Sequence, residues 1–434
     1  MISPARAWWF VALLCVASLL SVIDRGILNL VVDPLRSDLK LNDVQIGLLQ
    51  GLAFGLIYAF GGVALGAVAD RYSRRNLIIV GIVIWSLATF AAGLARNFGE
   101  LFAARVIVGL GEAALAPAAV SLIADLFAAD RRGRPMGLYM TGQAIANGIA
   151  ITLTGLVIAA AAAHRFDGFG LPTDIAPWRV TFMLCGASGL VLVLALFTCR
   201  EAPRAHRSKA PTLLAQGRET LHYLIDRRRF FVPLYLGFAS CFTAAYGAAA
   251  WSPAMLGRVF GLGPAQLAQI LGPLAVIFAA AGPLLGSMFI DPLVRRYGDQ
   301  GRLLLVAGVT LLAIPSGLAV LASDGKVAAL IVASSSAIYP LIGLCVITTL
   351  QSQWPAPMRG LGVALTGLFN TVIGAVTGPL LIALLTERVF RDPAQVGRSI
   401  AFVIVPALLF AMAMFVVAAR AVDRVPDPAD GVRA

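Results

Sequence analysis

GGVALGAVADRYSRRN (61–76) and AGPLLGSMFIDPLVRRYG (281–298) share one grammar: two glycines four apart, then an acid, then a pair of arginines. The first copy supplies Gly62, Gly66, Asp70, Arg71, Arg74 and Arg75; the second, about 220 residues later, supplies Gly282, Gly286, Asp291, Arg295 and Arg296. Each copy closes a long apolar run. Glycines four apart let helix backbones approach closely in a bilayer, and arginines just beyond an apolar run hold the connector on the cytoplasmic side. A chain that repeats this punctuation in each half is a duplicated membrane unit.

The composition agrees. The chain of 434 residues is 59% hydrophobic and only 13% charged, with a mean hydropathy of +0.87, where a soluble domain carries about 25% charged residues. A helix needs roughly 20 apolar residues to cross the hydrocarbon core, and twelve such runs stand at 7–32, 45–69, 77–95, 101–128, 136–162, 178–199, 231–255, 265–290, 303–322, 327–351, 360–385 and 399–420. The polar, basic stretch 200–230 separates six from six. The expected architecture is an all-α membrane protein: twelve transmembrane helices in two pseudo-symmetric six-helix bundles, 1–199 and 231–421. A cytoplasmic linker over 200–230, partly helical, and a cytoplasmic tail over 422–434 complete it.

The net charge of +12 suggests nucleic acid only until its distribution is counted. With the N-terminus inside, cytoplasmic connectors hold 22 Lys and Arg and outer connectors 10. That asymmetry is an orientation signal, aided by anionic headgroups, and it leaves no nucleic-acid role. Both termini are expected in the cytoplasm of a multi-pass protein of the inner (plasma) membrane. Cys15, Cys185, Cys199, Cys241 and Cys345 fall within or at the ends of runs without a C-x-x-C, and the three histidines lack ligand spacing, so no metal or cofactor is expected. Arg6 ahead of an apolar stretch imitates a signal peptide. The run continues past Asp24 to Val32, which marks an uncleaved first span.

With its spacing G-x-x-x-D-R-x-x-R-R, the connector between runs 2 and 3 resembles the hallmark of the major facilitator superfamily, carried by Gly66, Asp70, Arg71, Arg74 and Arg75. The resemblance covers nearly the whole chain through the 6+6 count, the central linker and the second copy. It implies a transporter in which the Asp70 carboxylate engages the cytoplasmic N-terminus of span 11, where unpaired N–H groups carry about half a positive charge. Arg359, just ahead of that span, is a further gate candidate beside Asp291, Arg295 and Arg296. The plainer alternative is that these charges only fix topology. VGLGEAALAP (108–117) contains a dinucleotide-like G-x-G-x-x-A, but it lies mid-span without a preceding strand and fails its structural test. The chain also lacks G-x-x-x-x-G-K-[ST]. An ion gradient is therefore the expected energy source, and no enzyme chemistry is expected.

LSVIDRGILNL (20–30) puts Asp24 and Arg25 side by side inside span 1, and span 4 carries Arg105 and Glu112 seven residues apart on one helix face. A charge at the bilayer centre costs somewhere between about 3 and about 15 kcal/mol, so such groups are rare unless paired or wet. Counting 1.5 Å per residue from the outer ends puts Arg25 at roughly 10 Å, Glu112 at roughly 17 Å and Arg105 at roughly 6 Å. The four groups overlap in depth, and Arg25 with Glu112 and Asp24 with Arg105 is the favoured pairing. Burial disfavours a charged Glu112 while Arg25 favours it, so a substrate anion that draws Arg25 away links proton binding to substrate binding. Glu112 and Asp24 are thus the candidate proton-coupling groups; Arg25 and Arg105, whose planar forks suit phosphate, are the candidate headgroup ligands. The alternative is a static ionic lock between spans 1 and 4.

D-R in span 1 together with R-x-x-x-G-x-G-E in span 4 (Arg105, Gly109, Gly111, Glu112) resembles the spinster group of the superfamily. That resemblance implies a bacterial-type transporter of lysophospholipids or sphingosine phosphates, often proton-driven. TGQAIANGIAITLTG (141–155) lacks the Gly-Pro pair of drug–proton antiporters. Gln143 and Asn147 from this span, with Tyr246, Tyr339, Thr366 and Asn370 from the second half, are the expected cavity lining. A cavity charged on one wall and apolar on the other suits an amphipathic lipid; the alternatives are small organic anions or drugs, and a sensor without flux. The chain is expected to act as a monomer whose other partners are protons and membrane lipids.

Overall fold

The computed structural model describes residues 3–128, 130–166, 175–201, 213–355 and 358–422. Among them, twelve helices are long and apolar enough to cross a membrane: Pro4–Leu30, Asp43–Gly66, Arg74–Leu94, Phe98–Leu126, Gly133–Ala162, Pro177–Leu196, Arg228–Phe260, Pro264–Gly282, Arg296–Gly317, Gly325–Gln353, Leu365–Phe390 and Pro393–Arg420. They are spans 1 to 12. Most of their bounds lie within a few residues of the hydropathy runs, because a twenty-residue apolar stretch is a local property of the chain. Span 9 is the most displaced, starting seven residues and ending five residues before its run, and span 11 is shifted five residues the other way. The linker contributes one helix, Leu213–Asp226; linker residues 202–212 and tail residues 423–434 lie outside the described residues.

Short polar residues start several spans. The Asn42 side chain accepts from the Gln45 backbone N–H at 2.8 Å, and the Gln45 side chain accepts from the Asn42 N–H at 3.0 Å; this reciprocal cap starts span 2. Asp324 accepts two backbone N–H groups at the start of span 10. Prolines break regularity within spans. Span 4 parts into Phe98–Glu112 and Leu115–Leu126, four residues ahead of Pro117, whose ring clashes with the carbonyl of Ala113. Glu112 therefore sits at a helix end. Span 11 widens into π-helical turns at Asn370–Ala375 and Leu385–Phe390. Spans 8 and 9 join through Gly298, at φ 59°, a left-handed conformation that glycine adopts without a Cβ penalty.

Spans 1–6 and 7–12 form two bundles that touch at one end and part at the other. At the end away from both termini they are closed. A Cβ on Gly148 of span 5 would lie 2.7 Å from the Gly272 carbonyl of span 8, so these backbones meet directly. Arg258 of span 7 crosses between the bundles, binding Asp43 through both terminal nitrogens (2.9 and 3.0 Å) and Asp33 through Nε at 2.8 Å. Asp43 is fully buried, and its backbone N–H donates to Glu387 of span 11 at 3.2 Å. Gln50 Nε2 donates across the same boundary to the Ala250 carbonyl at 3.1 Å. At the end carrying both termini the bundles separate: among the described residues a Cβ on Gly62 would meet nothing within 4 Å, and one on Gly66 only Pro117 at 4.0 Å. These glycines, read as close-packing positions, are not packed in this state. Gly282 of the second copy is packed, with Ala337 Cα 2.7 Å from its Cβ position.

Replacing Arg258 by alanine leaves the buried Asp43 carboxylate with Arg36, whose Nε is 3.6 Å away, in place of a two-pronged partner; the loss falls on the closed form alone and is at most about 3–5 kcal/mol. Moving a two-state balance from 1:99 to 99:1 takes about 5.5 kcal/mol. Spin labels at the exposed positions Lys40 and Lys326, one in each half, should report a longer distance as the main population of Arg258→Ala in a dipolar measurement. An unchanged distance distribution would show that the latch does not hold this end shut.

Candidate functional site

Between the bundles lies a cavity of about 460 Å³, within the range of ligand pockets. Its first-half wall is polar and aromatic, including Arg25, Asn29, Phe54, Tyr58, Gln143 and Asn147. Its second-half wall is uncharged and largely apolar, with Phe242, Leu271, Ala275, Ala279 and Val332, relieved by the hydroxyl residues Ser252, Ser335, Ser336 and Thr371 and by Tyr246 and Tyr339.

The four intramembrane charges form two ion pairs. Asp24 and Arg105 meet at 2.9 Å with side chains 1% and 2% exposed, and the Thr89 hydroxyl donates to the second Asp24 oxygen. This pair is sealed among spans 1, 3 and 4. Arg105 borders the cavity, whereas Asp24 is not among its lining residues. Arg25 Nε lies 3.3 Å from Glu112 Oε2, and here the two partners differ: the Arg25 side chain is 36% exposed, that of Glu112 not at all. Ser21 donates its hydroxyl to the same Glu112 oxygen at 2.5 Å and accepts from Arg25 Nη2 at 3.0 Å. Among the described residues the other Glu112 oxygen, Oε1, is buried without a hydrogen bond. The Arg25 guanidinium carbon stands 5.4 Å from the Phe54 ring centre and 5.7 Å from that of Tyr58, an aromatic cradle that favours the cation. Burial of Glu112 depends on two glycines: a Cβ on Gly111 would come within 2.8 Å of the Gly81 carbonyl, so span 4 lies directly on span 3.

Gln143, Asn147, Tyr246 and Tyr339 line the cavity. Thr366 and Asn370, expected there, do not. Thr366 is buried and donates to the Gly362 carbonyl of its own helix at 3.2 Å. Asn370 shares its helix face with Gly374, which abuts Phe242 of span 7. The cavity side of span 11 is one residue on, at Thr371, Ala375 and Pro379, and one residue is about 100° of helix rotation. Residue types alone do not set that phase.

Of the gate candidates, Arg71 and Arg296 are exposed. The side chains of Asp70, Asp291, Arg295 and Arg359 lie outside the described residues. Arg74 is 2% exposed and held inside the first bundle: it pairs with Asp125 of span 4, with Glu201 Oε1 at 3.1 Å and with the Ser121 hydroxyl at 3.0 Å. Arg75 donates to the carbonyls of Leu196 and Phe197 at the end of span 6. Partial burial works against the charge of Glu201, but hydrogen bonds from Ser73 and from the backbone and side chain of Arg74 hold its carboxyl below the usual range. Sequence reasoning missed Ser21, Thr89, Phe54, Tyr58 and Glu201. Only Ser21 was signalled, lying four residues before Arg25 on one helix face; the others come from different helices.

Residues 14–379 match the model of the Major Facilitator Superfamily, and the chain belongs to that superfamily: it is a multi-pass membrane transporter. A bacterial homologue of the human lysosomal transporter Spinster, solved in an inward-facing and unoccupied conformation, superposes with a TM-score of 0.80 at 25% identity, covering 97% of this chain and 98% of that one. Protein spinster of Drosophila melanogaster is 28% identical over 68% of this chain and 48% of its own length, so the match spans about half of that relative. An MFS-type efflux pump of Mycolicibacterium smegmatis is 28% identical over 90% of this chain and 86% of its own. The likeness to spinster, first carried by Asp24, Arg25, Arg105 and Glu112, thus extends over the whole fold.

Proposed function

We propose that the protein is a proton-coupled transporter of an amphipathic lipid, of the lysophospholipid or sphingosine-phosphate kind, working by alternating access with both termini in the cytoplasm of a plasma (inner) membrane. On that orientation the closed end faces outward and the cavity opens inward. The observation that carries the reading is the unequal exposure of Arg25 and Glu112. The guanidinium reaches the cavity, where a phosphate can pair with it, while its carboxylate partner cannot follow. As Arg25 turns to the ligand, Glu112 loses its counter-charge and takes up a proton. Asp24 and Arg105 hold spans 1 and 4 together beneath this exchange, and the apolar second-half wall receives the acyl chain.

Closure of the inner end brings span 11 toward Gly62 and Gly66, where the backbone is bare, while the Arg258 latch opens at the outer end. Uptake into proteoliposomes should favour a radiolabelled lysophospholipid over a panel of sugar acids by about tenfold or more, the gain from burying two or more methylenes. A second reading, small organic anions or drugs, is supported by the cavity volume and by the efflux-pump relative. Uptake of the sugar acids in preference to the lysolipid would establish it instead.

A further inference from the structure

The linker helix Leu213–Asp226 turns at Arg227 straight into span 7. One side of it is fastened to the second bundle. The Tyr223 hydroxyl donates to the Gln353 carbonyl at the end of span 10 (2.9 Å), and its ring packs on Trp354 with centroids 5.2 Å apart. The other side carries Leu221 and Ile225, one turn apart and 57% and 44% exposed, with Arg218, His222, Arg228 and Arg229 exposed around them; the exposed acids Glu219 and Asp226 stand roughly 120° or more around the helix from that face. Single apolar side chains on a surface need no explanation. Two stacked on one helix face, at the level where span 7 begins and rimmed by arginines, have the pattern of a helix lying in a membrane interface.

We propose that this face of the linker helix rests on anionic lipid headgroups. Leu221 and Ile225 insert at the headgroup–acyl boundary, and Arg218, Arg228 and Arg229 bind the lipid phosphates. That the leaflet is the cytoplasmic one rests on the orientation proposed above; the contact itself does not. The helix also reaches the moving parts. Trp354 packs so tightly on Gly362 at the foot of span 11 that a Cβ there would lie 2.6 Å from its Cδ1, and the Tyr235 hydroxyl donates to the Gly362 carbonyl at 2.9 Å. Anionic lipid held by the linker helix is thereby connected, through Tyr223 and Trp354, to the end of span 11 that must travel when the inner mouth closes.

The test is amide hydrogen exchange on the full chain in nanodiscs of phosphatidylcholine, with or without phosphatidylglycerol. Both faces of a nanodisc carry the same lipid, so orientation and substrate do not enter. Three arginines at an anionic surface should slow exchange over the linker helix by about tenfold or more when phosphatidylglycerol is present. High salt should erase the difference in the wild-type chain. The triple substitution R218Q/R228Q/R229Q should exchange at one rate in both lipids, with span 7 still protected. Equal wild-type rates in the two lipids, or a difference that high salt leaves intact, would overturn the proposal whether or not the triple variant folds.

Discussion

Glu112→Gln should remove the pH dependence of transport while leaving ligand binding in place. In the wild-type site Arg25 has two competing anions: Glu112, 3.3 Å away and fully buried, and the phosphate of an arriving ligand. Protonating Glu112 removes the first competitor, so wild-type binding of a phosphate-bearing lipid should tighten as pH falls. Coupling between two sites of this kind is typically worth about 1–3 kcal/mol, or about 5- to 150-fold, and it is reciprocal: ligand must promote protonation by the same factor. The glutamine has the shape of the protonated acid and cannot ionise. The variant should therefore bind at high pH as tightly as the wild-type protein does at low pH, with a flat profile between. Isothermal titration across pH, paired with uptake rates, reads both quantities. If the variant keeps the wild-type pH profile, the proton is carried elsewhere. The alternative that these charges form only a static lock predicts a different result, namely lower stability without a change in profile.

The second large effect is expected at Arg25. Of the two guanidiniums that border the cavity, its fork is the exposed one, with its side chain 36% exposed against 2% for Arg105 and cradled by Phe54 and Tyr58. A charge-assisted hydrogen bond to phosphate contributes about 1.5–3 kcal/mol, so Arg25→Ala should weaken phosphate-bearing ligands by about 10- to 150-fold. Ligands with the same chain and no phosphate should hardly change. Loss of the guanidinium also strands the Glu112 carboxylate, which then gains by protonation, so the variant should stay folded with a blunted pH response. Arg25→Lys should recover charge without the bidentate geometry and fall between the two. An equal loss for neutral and phosphate-bearing ligands would mean that Arg25 supports the fold and does not recognise the headgroup.

The two effects separate ion pairs whose partners the sequence favoured but whose exposure it could not rank. Depth along spans 1 and 4 follows from the 1.5 Å rise of a helix, so the overlap of Asp24, Arg25, Arg105 and Glu112 was legible from residue numbers alone. Which arginine faces the ligand was not. It depends on how spans 1, 2 and 4 rotate about their axes, and on Thr89, Phe54 and Ser21 arriving from three helices to enclose one pair and leave the other at the cavity edge.

The chain by itself determined that this is a duplicated membrane protein of two six-span halves, because each span is a local run of apolar residues and each connector states its own charge. It also determined the relatives, through short strings of charged residues and glycines inside the spans. Only the tertiary structure decided which end is shut. The latch joins Asp43 to Arg258, 215 residues apart, and no local pattern announces such a contact. Only it decided that Thr371, and neither Thr366 nor Asn370, faces the cavity. The polar residues of span 11 also serve helix packing, as where Thr377 meets Thr243 of span 7 at 3.3 Å, so polarity does not mark the cavity face and that phase is set by the neighbours the helix packs against.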